Sequence, residues 1–232
     1  MKYNTEVYCV VCKKKFSAWK THLFGPRLNI QCPYCGSLPR HRHLLLYLKL
    51  KTKLFVSHAK MLHVAPERCF WKMKTFKENP TLERITIDID HTGITDLQMD
   101  VTDLKFENNT FNAIICYHVL EHVKDDRAAL KELFRVLKPG GWMIVKSPVN
   151  RQTNRTQEDS GEMSKKEREI WFGQHNHLRQ YGRDFKERIE QAGFNVEIED
   201  FSKNFDEELR AYYGFFKHKF IYLCKKPRIS IT

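Results

Sequence analysis

The sequence predicts an α/β protein whose mostly parallel sheet follows a small cysteine-rich module. From Lys60 onward, strand-like apolar runs alternate with helix-like segments, which is the pattern of a sheet covered on both faces. The first forty residues carry two C-x2-C pairs. A chain of 232 residues, 41% of them apolar, is long enough to bury one medium core beside something small.

Cys9, Cys12, Cys32 and Cys35 form C-x2-C, nineteen residues, C-x2-C, the spacing of a structural zinc site. Each pair presents two thiolates from one tight turn, and two turns close a tetrahedron around the metal. Pro33 shapes the second turn, and Gly36 beyond it is free to take positive φ. Cys69, Cys116 and Cys224 stand alone and read as small core residues. Seven cysteines in a chain without an apolar leader argue against a disulfide framework.

A helix is expected from Pro39, with Leu44, Leu45, Leu48 and Leu50 on its apolar face. It would couple a zinc ribbon, residues 1–53, to a larger domain, residues 54–232. No glycine- or serine-rich linker separates the two, so packed modules are expected.

The formal charge of +12 is concentrated: residues 1–60 hold twelve Lys/Arg against one acid, Glu6. A polyanionic partner such as RNA accounts for that excess, with RHRH at 40–43 its most basic cluster; a solvated lysine surface accounts for it as well. The apolar runs are short and broken by Lys or His, so no membrane span is expected and the default address is cytoplasmic.

Within the larger domain, KMLHVA is the first strand and PERCFWKMKTF a helix opened by Pro66. RITIDI, LQMDV and NAIICYHV follow as strands. DDRAALKELFRVLKPGG reads as a helix with Leu130, Leu133, Phe134 and Leu137 on one face and Pro139-Gly140-Gly141 as its stop. WMIVKSPV is a fifth strand. Residues 149–180 are polar and break the rhythm, as a lid or a disordered insertion does. RDFKERIEQAGF is a helix, and NVEIEDF and KFIYLCKK are the last strands, with DEELRAYYGFF between them.

Three blocks, MDVTDLKFENNTFNAIICYHVLEHV, LFRVLKPGGW and EQAGF, resemble the class I S-adenosylmethionine-dependent methyltransferases over about residues 54–226. The resemblance implies a Rossmann-like sheet with an antiparallel last strand, and a cofactor lying across the carboxyl ends of the first strands. It implies that Asp88, with Asp90 two residues on, accepts the ribose hydroxyls, and that Asp100 and the Val101 backbone receive the adenine. Cofactor contacts are implied at His63, Ala65, Glu67, Ile89, Cys116 and Tyr117 as well. The turn after the first strand has no glycine; Ala65 is the small residue there, and His63 replaces an acid common in relatives. A subset of bacterial methyltransferase-like proteins is similar in three places at once, CPYCGSLPRHR, LHVAPE and FGQHNHLRQYG.

Methyl transfer from a sulfonium requires alignment and, for a protonated acceptor, a base. His118 falls where the cleft should open. Glu121 and His122 read as a helix cap or buried hydrogen bond. His175, His177, Arg179 and Tyr181 alternate, so an extended lid displays them together, with His177 as base and Arg179 as a carboxylate or phosphate clamp. Glu158 and Asp159 read as a solvated pair. The expected activity is methyl transfer to oxygen or nitrogen of a small or conjugated acceptor; the alternatives are an RNA methyltransferase using the basic ribbon, and a non-catalytic RNA- or partner-binding protein.

Overall fold

A computed structural model of the chain describes residues 6–21, 29–217 and 220–228; Lys219, the first residue of the expected strand KFIYLCKK, lies outside them. The elements begin with β1 (Val7–Cys9), β2 (Lys14–Phe16), α1 (Pro39–Lys51) and β3 (Ala59–Val64). α2 (Arg68–Trp71), α3 (Lys74–Lys77), β4 (Leu82–Asp88), β5 (Leu97–Gln98) and β6 (Phe111–Tyr117) follow. Then come α4 (Asp126–Val136), β7 (Leu137–Lys146), β8 (Gln157–Glu158), α5 (Lys165–Phe172) and β9 (Arg179–Gln180). The chain closes with α6 (Phe185–Glu190), β10 (Asn195–Asp200), a 3-10 turn at Phe201–Asn204, α7 (Glu207–Tyr213) and β11 (Phe220–Lys225).

Seven strands form one sheet in the order β10-β11-β7-β6-β3-β4-β5. β3 pairs parallel with β6, β6 with β7 and β4 with β5, whereas β11 runs antiparallel to β7. Strand order reverses between β3 and β6, so a crevice is expected at their carboxyl ends. This is the mostly parallel sheet with an antiparallel last strand that the sequence predicts. Its central strands are buried on both faces, as continuous apolar runs such as AIIC of β6 require.

Two helices depart from expectation. PERCFWKMKTF is two short helices, because Met73 is extended between them; Phe70 and Phe76 are both buried and their rings meet at 5.5 Å. α4 ends at Val136; Leu137, expected on the helix face, and Pro139-Gly140-Gly141, expected as its stop, instead open β7, where Leu137 pairs with Phe111. Gly141 is obligatory there: a Cβ would meet the Lys138 and Asn112 carbonyls at 2.8 and 2.9 Å. Residues 149–180 are ordered, and β8 pairs with β9 inside that segment and at its edge.

The chain divides into two compact units that interleave in sequence rather than meeting at residue 53. One comprises Met1–His58, Glu67–Glu83 and Glu199–Phe220; the other comprises Ala59–Pro66, Arg84–Ile198 and Ile221–Thr232. In the first, α1 buries Leu44, Leu45 and Leu48, while Leu50 is 62% exposed. Arg42 of α1 is wholly buried and donates to the carbonyls of Ile30, Ser37, Tyr213 and Gly214, tying the cysteine loops to the end of α7. Of RHRH, His41, Arg42 and His43 are buried and only Arg40 is exposed, so this cluster is not a basic surface. Among the described residues no helix is long and apolar enough to cross a membrane.

Candidate functional site

The carboxyl ends of β3, β4, β5 and β6 surround a hollow of about 950 Å³. Val64 and Ala65 come from β3, Asp88, Ile89 and Asp90 from the end of β4, Met99 to Thr102 from beyond β5, and His118 and Val119 from beyond β6. The far wall is His122 to Asp125 and Asn176. Asp88 Oδ1 accepts the Asp90 backbone N–H at 3.2 Å, and Asp100 Oδ1 accepts both N–H and hydroxyl of Thr102 at 2.8 Å. Each carboxylate thus closes a small turn of its own loop while facing the hollow.

Two of the strand tips carry non-glycine residues in the left-handed region, Ala65 at φ 47° and His118 at φ 60°. That conformation costs a side-chain-bearing residue on the order of 1 kcal/mol or more. It persists because both backbone N–H groups are tied into the sheet, Ala65 to Ile87 O and His118 to Lys146 O, each at 2.7 Å. The glycine-free turn is therefore built as a glycine turn would be, with a methyl group as its only side chain.

His118 Nδ1 lies 3.0 Å from Glu121 Oε1, and the Ser147 hydroxyl donates to Glu121 Oε2 at 2.7 Å. Glu121 is 1% exposed. Burial alone would raise its pKa, but the hydrogen bonds and charge of His118, with the Ser147 hydroxyl, hold it below its ordinary value. A carboxylate only accepts, so the His118 proton facing Glu121 is on Nδ1, and in the neutral ring the lone pair is then on Nε2, on a ring that lines the hollow. This is the base-plus-orienter arrangement of nucleophile activation.

The remaining expected site residues lie elsewhere. His63, Cys116 and Tyr117 are buried in β3 and β6 and do not line the hollow; burial pushes the Cys116 thiol up. Glu67 belongs to the first unit, as the residue preceding α2. The alternation His175, His177, Arg179, Tyr181 holds only for the last three, which are buried, whereas His175 is exposed. His177 Nδ1 lies 2.8 Å from Phe172 O, and burial lowers its pKa more than that hydrogen bond raises it.

Arg179 is not an open clamp: it donates to the Leu120, Val123 and Lys124 carbonyls. Tyr181 donates to Asp126 Oδ2 at 2.6 Å, and burial together with the Asp126 charge puts its pKa well above the usual phenol value. Glu158 pairs with Arg188, and Asp159 with Arg168, so neither acid of the expected solvated pair stands alone. Sequence reading missed Asn176, which reaches the hollow from the opposite parity of the same segment. Lys124 was missed too, since nothing in its pattern separates it from a surface lysine.

In the first unit the four sulfurs of Cys9, Cys12, Cys32 and Cys35 lie within 4.8 Å of one another. Cys9 to Cys35 is 3.6 Å and Cys12 to Cys32 is 3.7 Å. A zinc tetrahedron with bonds near 2.3 Å has edges of about 3.8 Å, so the donors fit that ion. The Ser37 hydroxyl is 3.2 Å from Cys9 Sγ and 3.3 Å from Cys35 Sγ, placed to support them. Hydrogen bonds from Cys32 and Cys35 draw the Cys9 thiol down, while burial and the Cys9 charge push Cys12 up to about 12.

Residues 59–145 match Methyltransf_11, a methyltransferase domain. A demethylmenaquinone methyltransferase of Streptomyces avermitilis is 44% identical over 46 residues, 20% of each chain. The match thus spans about a fifth of the length of such curated relatives. A S-adenosylmethionine-dependent methyltransferase from Archaeoglobus fulgidus superimposes with a TM-score of 0.53 at 17% identity, over 80% of this chain and 94% of that one. The complex between the Haloferax volcanii Trm112 methyltransferase activator and a methyltransferase gives 0.55 at 13% identity, over 82% of this chain and 91% of that one. Residues 59–145 therefore match a methyltransferase domain, and the sheet containing them has the class I S-adenosylmethionine-dependent methyltransferase fold.

Proposed function

We propose that the chain is an S-adenosylmethionine-dependent methyltransferase that transfers methyl to oxygen or nitrogen of a small or conjugated acceptor. The observation that carries this is the convergence of Ala65, Asp88, Asp100 and His118 on one hollow at the strand-order switch point. Asp88 holds the ribose hydroxyls, Asp100 with the Val101 backbone holds the adenine, and the Ala65 turn gives close backbone approach. The bound cofactor supplies an electrophilic methyl group. His118 Nε2 takes the acceptor's proton, and Glu121 holds the ring in the tautomer that can do so. Zinc held by the four cysteines is structural in this reading, the donor set being closed. Burial of His41, Arg42 and His43 removes the motif most favourable to RNA.

Calorimetry with S-adenosylhomocysteine tests the cofactor assignment. The wild-type chain should give saturable heat, and Asp88→Ala should lose charge-assisted hydrogen bonds together worth about 3 kcal/mol or more, a factor of at least ~100 in affinity. No heat from the wild type would remove the enzyme reading. Equal affinity in the variant would move the ribose acid elsewhere.

Glu121 is a positioning residue, and its role is read without an acceptor. Nitrogen-15 spectra of the imidazoles should show His118 protonated at Nδ1 in the wild type, with that preference lost in Glu121→Gln, whose amide is able to donate as well as accept. An unchanged tautomer in a folded Glu121→Gln chain would discard the base-and-orienter pair.

A further inference from the structure

Beside the hollow, a second group of side chains meets: Glu121, His122 and His177. A carboxylate oxygen and one nitrogen from each ring all lie within 4.8 Å of one another, and the two rings pack edge to face at 4.8 Å between centroids. His122 Nδ1 is 3.1 Å from the Asn176 carbonyl, and His177 Nδ1 is 2.8 Å from the Phe172 carbonyl. A carbonyl only accepts, so both rings are protonated at Nδ1 and carry their lone pair on Nε2. Histidines that ligate metals are held in this way, the second nitrogen donating to a carbonyl or carboxylate. Glu121 is oriented in turn by the Ser147 hydroxyl.

The geometry points to a divalent transition-metal site of zinc type, formed by Glu121, His122 and His177, with a coordination position open to the hollow. Two imidazoles and one carboxylate are the donor set of open zinc sites, in contrast to the closed set of four thiolates. Zinc with nitrogen and oxygen ligands has tetrahedral edges of about 3.3–3.5 Å. Closing the observed spacing takes a shift on the order of 1.5 Å, which His122, the partly exposed member, is able to make. Because His122 and Asn176 line the hollow, the open position faces the space left for an acceptor.

On the methyltransferase reading, this site selects acceptors with an oxygen that a metal ion coordinates, and lowers the pKa of that group before transfer. Zinc binding itself is independent of that reading, so the two fail separately.

The full chain, with its zinc content first measured, is titrated with Zn²⁺ in a calorimeter near neutral pH. One saturable site beyond the cysteine-bound zinc is expected, weakened at least ~10-fold in His122→Ala. His122 is partly exposed, so this variant should keep its fold, which its thermal transition checks. His175→Ala removes an exposed imidazole two residues from His177 and should bind as the wild type does. No zinc beyond the cysteine cluster, undiminished binding in His122→Ala, or loss of the site in His175→Ala would each overturn the assignment.

Discussion

Cys9→Ser is expected to empty the cysteine cluster of zinc and unfold the first unit. Structural zinc binding at neutral pH has an apparent free energy of roughly 10–16 kcal/mol, and where no site exists in the unfolded chain that energy belongs to folding. Around the cysteine loops the secondary structure does little to substitute for it. β1 and β2 are three residues each, too short to hold as an isolated hairpin. Cys9 ends β1, and the preceding Tyr8 stacks on Tyr212 of α7 at 5.9 Å, so the loss spreads to that helix. Arg42 deepens the effect. Burial pushes its pKa down to about 10, with the Cys9, Cys32 and Cys35 thiolates acting the other way; without zinc-bound thiolates, a buried guanidinium loses its counter-charge. Metal analysis should show the zinc content falling by about one per chain relative to the wild type, and limited proteolysis should cut within residues 6–58. An undiminished zinc content, or wild-type protease resistance once the cysteine-bound zinc is lost, would refute a structural role for the metal.

Much of the fold was legible because its signals are local. The alternation from Lys60, the two C-x2-C pairs and Pro39 at the first turn of α1 each report on neighbours in sequence. Asp88 and Asp100 were legible as strand-end acids, and the structure places both on the hollow. The positive φ of Ala65 was not, since sequence reads alanine as a residue that avoids that region, and only ties such as Ala65 N–H to Ile87 O enforce it. LKPGG looks like a helix stop because proline and glycine end helices, yet pairing of Leu137 with Phe111 starts a strand before them. RHRH looked basic, but carbonyls from residues 30 to 214 surround Arg42, and of the four only that of Ser37 lies within ten residues of it in sequence. In FGQHNHLRQYG the alternation was visible and its direction was not. Period-two spacing says which residues share a side, and only the rest of the chain says which side faces in.

That same segment holds the second large expected effect. Arg179→Ala should destabilise the chain by about 3–5 kcal/mol, a fall in melting temperature on the order of 10 °C, and weaken S-adenosylhomocysteine binding as well. Arg179 is 3% exposed, and its guanidinium gathers the carbonyls of Leu120, Val123 and Lys124, with Asp126 Oδ2 at 3.9 Å and Glu158 Oε2 at 3.7 Å. Truncation takes the guanidinium donors from the part-buried Val123 and Lys124 contacts, while Leu120 O keeps the Tyr181 hydroxyl at 3.3 Å; a buried carbonyl left unsatisfied costs about 1–3 kcal/mol. Arg188 still pairs with Asp126 at 2.9 Å, which limits the damage at that carboxylate. Residues 122–125 form the wall of the hollow, so loosening the loop that Arg179 gathers moves a boundary of the binding site. Arg179→Lys separates this role from charge alone. A single ammonium keeps the charge but lacks the planar fork that reaches three carbonyls at once, so lysine should recover little of the loss. Were Arg179 instead an exposed substrate clamp, alanine would leave the melting temperature unchanged and lysine would restore much of the function; a thermal melt of both variants, with cofactor-product calorimetry, decides between the two.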